Sequence, residues 1–76
     1  MNKDRRSRIE DVKDQIEEVK TAIEEIRDEE DESLENLPDS FQDGERGDAM
    51  RNAVDNMESA IDQLDDALNS LTEAQA

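Results

Sequence analysis

The chain has 76 residues, 24 of them acidic and nine basic, for a formal net charge of −15. With no cysteine, it has neither disulfides nor thiolate metal sites, and with no histidine it lacks the commonest general base, metal ligand and pH switch. No stretch approaches the roughly 20 apolar residues of a membrane span and the N-terminus lacks a signal-peptide core, so a cytoplasmic protein is expected, repelled by anionic membranes and most nucleic acid.

High charge and a single aromatic residue, Phe41, ordinarily argue for disorder. Periodicity argues the other way. From the N-terminus, Ile9, Val12, Ile16, Val19, Ile23 and Ile26 recur at alternating steps of three and four. With Ile9 at heptad position a, these occupy every a and d site, and the spacing predicts a helix over about 3–36. Glu10, Glu17 and Glu24 fall at b, and Asp11, Glu18 and Glu25 at c, making an acidic face opposite the seam. Position e carries Lys13, Lys20 and Arg27. The acidic run Asp28–Glu32 then puts Glu30 on the next a site. Hydrophobes resume only at Leu34 and Leu37, which reads as a stutter that unwinds the coil without ending the helix.

Pro38 stops the helix. The next ten residues, 38–47, contain every proline and glycine of the chain and predict a turn at about 37–43, with some 3₁₀ character at 38–42. Asp43 or Gly44 is the expected N-cap of a second helix over about 44–74. Its seam is Met50, Val54, Met57, Ile61, Leu64, Leu68 and Leu71. A further row, Ala53, Ala60, Ala67 and Ala74, widens the apolar stripe beyond what a two-stranded coil needs.

The expected fold is all-α, one antiparallel coiled-coil-like hairpin occupying residues 1–76. The a and d seams pair Ile26 with Val54, Ile23 with Met57, Val19 with Ile61, Ile16 with Leu64, Val12 with Leu68 and Ile9 with Leu71. This register brings Lys20 to Glu58 and Lys13 to Asp65, and sets Arg27 against Arg51. A lone hairpin this small has little interior, about 3–5 kcal/mol at best. Dimerisation into a four-helix bundle is therefore expected, its core built from the same a and d residues. A monomeric hairpin and a domain-swapped dimer are the alternatives.

The candidate interaction surface is the acidic face of the first helix: Glu17, Glu18, Glu24, Glu25, Asp28, Glu29, Asp31 and Glu32. Banked carboxylates imitate the phosphates of nucleic acid, although charged outer faces also serve solubility alone. Lys3, Arg5, Arg6 and Arg8 form a basic cluster suited to phosphate contact, or else neutralised by Glu73 and the free carbonyls at the end of the second helix. Arg46-Gly47-Asp48 spells an integrin-recognition tripeptide, without the secreted setting it needs. A calcium-loop reading of residues 39–50 fails because Phe41 and Met50 occupy ligand positions. No catalytic, cofactor-binding or metal-binding residues are assigned, and the chain reads as a non-enzyme without cofactors.

Arg5-Arg6 with Ile9, the acidic run, Asn36-Leu37-Pro38, Glu45-Arg46-Gly47, and Ala53-Val54-Asp55-Asn56-Met57 followed by Ala60-Ile61 carry a resemblance. The chain resembles small acidic helical proteins of bacteriophages and mobile elements. That resemblance implies an accessory role, such as inhibition of a host defence system, and assigns no binding residues. In outline the chain is also similar to a small plasmid-encoded hairpin dimer that binds paired RNA loops, from which its acidic surface departs. The functional expectation is an acidic protein that inhibits a basic, nucleic-acid-binding host protein by charge mimicry. The alternatives are a homo-oligomeric structural module and a nucleic-acid binder acting through the basic N-terminus.

Overall fold

The computed structural model describes all 76 residues, Met1–Ala76. Helix α1 spans Lys3–Glu35, a single helical turn α2 spans Asp39–Gln42, and α3 spans Glu45–Gln75. The long helices fold back on one another as a hairpin whose Cα extents are 59 × 15 × 11 Å. Both long helices lie within one residue of their expected bounds.

Each boundary has a local cause. Asn2, in extended geometry, caps α1 by accepting the Arg5 N–H through Oδ1 at 2.8 Å. The last turn of α1 closes with Asn36 N–H donating to Glu32 O and Leu37 N–H to Leu34 O. Pro38 then opens α2, its carbonyl accepting from both Phe41 N–H, at 2.8 Å, and Gln42 N–H, at 3.2 Å. The segment expected to have 3₁₀ character is thus one α-helical turn with a mixed bonding pattern. Gly44 is the N-cap of α3, with no side chain to satisfy the first amides, and Glu45 and Asp48 place acid at its positive end.

The turn is held by two side chains. Gln42 Nε2 donates to Leu37 O at 2.9 Å and Glu35 O at 3.3 Å, closing the end of α1. Arg51 donates to Gln42 O at 2.7 Å and pairs with Asp48 at 3.2 Å, tying the turn to α3. Gly47 lies buried beneath this turn, and a Cβ there would overlap the Gln42 carbonyl group.

The pairing of the helices differs from the expected one. Lys20 meets Asp65, Nζ to Oδ1 at 2.7 Å, instead of Glu58. Lys13 reaches Gln75 Oε1 at 2.9 Å instead of Asp65. The hairpin is therefore displaced by about four residues, roughly one helical turn, and Arg27 feels the charge of Glu58 instead of lying against Arg51. In this register Ile16 stands level with Leu68, Ile23 with Ile61, and Glu30 with Val54.

Helix α1 is also rolled about its axis. Its inward residues are Ile9, Lys13, Ile16, Lys20, Ile23, Arg27, Glu30, Leu34 and Leu37, the a and e rows. Val12, Val19 and Ile26, assigned to the intramolecular seam, are instead 44%, 52% and 54% exposed. The cause is phase. Leu34 and Leu37 continue the a/e line at unbroken steps of three and four, so the rolled helix needs no stutter. The matching line on α3 runs Gly47, Met50, Val54, Met57, Ile61, Leu64, Leu68, Leu71 and Gln75, with Gly47, Val54, Ile61 and Leu68 buried. A third of what α1 lays on this line, Lys13, Lys20 and Arg27, is the aliphatic stem of a lysine or arginine.

Candidate interaction faces

Rolling α1 sorts its charges. Between Glu10 and Leu37 the only cations are Lys13, Lys20 and Arg27, and all three are half-buried on the side facing α3. The Asp65 hydrogen bond, reinforced by the charges of Asp65, Glu17 and Glu24, raises the Lys20 pKa above its ordinary value. Arg27 pairs with Asp28 at 3.0 Å, and that hydrogen bond, then the charges of Asp28, Glu58 and Glu24, raises its pKa likewise. Spent inside the hairpin, these cations leave the outer side of α1 anionic.

Of the eight carboxylates assigned to the interaction surface, Glu17, Glu18, Glu25, Asp28, Glu29, Asp31 and Glu32 are exposed, and Glu24 is half-buried. Asp28 is compensated by Arg27, and none of the other seven has an ion-pair partner within 4.0 Å. The structure thus brings the expected acidic face together along one helix.

The two flanks between the helices are chemically different. One is an open groove lined by Glu10, Lys13, Asp14 and Glu17 of α1 and Asp65, Leu68, Asn69 and Thr72 of α3. At its end the Gln75 amide bridges the helices, donating to Glu10 Oε2 at 2.8 Å and to Arg6 O at 3.1 Å. That hydrogen bond, aided by the Lys13 charge, holds the Glu10 carboxyl below its ordinary value. Helix geometry puts the other flank along the d and g rows of α1 and the d, g and c rows of α3. This side carries the exposed Val12, Val19 and Ile26 beside the alanine row.

The N-terminal basic cluster is not neutralised as expected. Arg8 pairs with Asp4 at 3.8 Å, while Lys3, Arg5, Arg6 and Glu73 have no ion-pair partner within 4.0 Å. No three carboxylates converge in a way that would hold a metal ion. Arg46 and Asp48 of the Arg-Gly-Asp tripeptide lie in the first turn of α3 around buried Gly47. Sequence reasoning missed Gln42 and Gln75, the amides that close the two ends of the hairpin. Their only signal was position: Gln75 completes the α3 line, and Gln42 follows the turn's single aromatic.

Fold and faces together define an acidic two-helix hairpin with one polar and one apolar flank. No helix is long and apolar enough to cross a membrane. Comparison with protein-family models, curated proteins and solved structures finds no match to this chain.

Proposed function

We propose that this is a non-enzymatic, cytoplasmic interaction protein that binds and inhibits a basic, nucleic-acid-binding protein by charge mimicry. The observation that carries the proposal is the sorting of charge on α1. Its central cations turn toward α3, and of the eight carboxylates from Glu17 to Glu32 all but Asp28 lack an ion-pair partner and all but Glu24 are exposed. Those eight acids span a rise of about 23 Å, or one charge per roughly 3 Å. The phosphates of one DNA strand follow one another at about 3.4 Å. A rigid helix carrying charge at that pitch suits a groove built for a nucleic-acid backbone.

The accessory role in a bacteriophage or mobile element, with a host defence protein as target, is the biological form of the same proposal. Its architecture includes pairing of two hairpins into a four-helix bundle. A purely structural homo-oligomer would use the apolar flank and leave the acidic face without a partner.

Affinity capture from bacterial lysate, washed at about 50 mM and then about 500 mM salt, tests the reading, because contacts between exposed charges are screened over this range. The expected result is a basic nucleic-acid-binding protein released at the higher salt. Recovery of the protein alone from lysates of susceptible hosts would favour the structural role.

A further inference from the structure

Two copies that each carry −15 must meet across a surface free of charge. The flank containing Val12, Val19 and Ile26 is such a surface. Beside this row on α1 the g positions from 12 to 26 are Gln15 and Ala22. Facing them across the hairpin, α3 supplies the alanine row and, outside it, a c row of Asn56, Gln63 and Ser70. In a chain that is 43% charged, no charged residue falls on these rows between the level of Val12 and that of Ile26. Arg8 and Glu29 bracket the strip at its two ends. A highly charged partner of another kind would call for complementary charges here, and there are none.

The area agrees. The chain exposes 5543 Å², on the order of 800 Å² more than the roughly 4,700 Å² of a compact monomer of its mass. An elongated rod carries that excess along its whole length, and a standard interface takes ~800 Å² from each partner.

We infer that this neutral flank is the interface with a second copy of the chain, and that the two hairpins stack crosswise, α1 of each on α3 of the other. Shape and charge both select this arrangement. The branched side chains of Val12, Val19 and Ile26 project onto the partner's small alanines, which allow the helices to approach closely. Stacking α1 on α1 would instead set row against identical row and bring Asp11, Glu18 and Glu25 beside their own copies. A two-fold axis parallel to the helices produces the crosswise stack and keeps every neighbouring pair antiparallel. The level of Lys20 and Asp65 within a hairpin then holds between hairpins too, so Val19 lies over the partner's Leu64 and Ala67.

The inference rests on the dimeric part of the proposal above and is independent of what the acidic face binds. Sedimentation equilibrium at about 100 µM protein, where even micromolar association is saturated, is the first test. The native chain should sediment at about twice 8.7 kDa. Val19→Lys should sediment as a monomer, and Glu18→Lys, on the outer face, should remain a dimer. A monomeric native chain, or dimerisation of Val19→Lys as tight as the native chain's, overturns the interface.

Cross-linking checks the arrangement without a destabilising charge. A Val19→Cys chain mixed with a longer, tagged Ala67→Cys chain should give a disulfide-linked heterodimer under oxidation. Linkage of Val19→Cys chains only to each other contradicts the crosswise stack. Reversal of Glu24, Glu25, Asp28 and Glu29 to lysine should leave the dimer intact whichever outcome the mimicry proposal meets.

Discussion

At Gly47, packing at the turn rests on a missing atom. An added Cβ would approach within 2.7 Å of the Gln42 carbonyl carbon and 2.9 Å of its Cα, both backbone atoms that cannot step aside without moving α2. Gly47→Ala should cost about 3 kcal/mol in a urea or thermal unfolding measurement. At Gly44 the corresponding Cβ meets only ordinary contacts, the nearest 3.7 Å away at Phe41 O. Its extended backbone suits a capping side chain, so Gly44→Ser should raise stability by a few tenths of a kcal/mol.

Glu10 provides a second test at this scale. The Gln75 hydrogen bond and the Lys13 charge favour its ionised form in the folded chain, lowering its pKa from 4.5. Such a group stabilises fully above its unfolded pKa and stops doing so as pH falls through the lower, folded value. Glu10→Gln should therefore melt below the native chain at pH 7, and the gap should close as pH drops below about 4. A gap that widens on acidification would put the wrong sign on this interaction.

Among the elements, the two long helices and the break at Pro38 were legible because each has a strong local cause. The pairing was not. Hydrophobicity alone selected Val12, Val19 and Ile26 for the seam, whereas the hairpin uses Lys13, Lys20 and Arg27 in their place. The discriminating signal was present in Leu34 and Leu37, which are in phase with the basic row and out of phase with the valines. Reading them as a stutter preserved the wrong seam and, with it, a register about one helical turn off. The acidic face was legible because it follows from rows along one helix. The neutral flank was not, because it exists only once both helices are rolled and paired.

The observed line makes two predictions. Glu30 is half-buried level with Val54, so Glu30→Leu should stabilise the hairpin by about 1 kcal/mol in denaturant unfolding. Exchanging the charges of Lys20 and Asp65 together should restore stability lost in each single reversal. Exchanging Lys20 with Glu58 should restore none, and rescue by that exchange would reinstate the expected register.

At the scale of the whole molecule, shape and charge act together. The radius of gyration is 17.3 Å, against about 11 Å for a compact chain of this length. The elongation spreads the net charge along a rod and leaves only three hydrophobic side chains, Val54, Ile61 and Leu68, buried. Self-repulsion then opposes folding, and the melting temperature should rise by several degrees between about 20 mM and 500 mM NaCl as the charges are screened. An assembly held mainly by its few ion pairs would instead melt earlier in salt.

A rod with a neutral flank and an acidic back can pair with itself and still present phosphate-like charge outward. The most direct measurement is competition for the basic protein recovered by affinity capture. Binding would be followed with and without duplex DNA, for the native chain and for the variant with Glu24, Glu25, Asp28 and Glu29 changed to lysine. The account predicts that DNA displaces the native chain and that the variant, still folded, does not bind. Binding that ignores DNA and survives the four reversals would contradict charge mimicry outright.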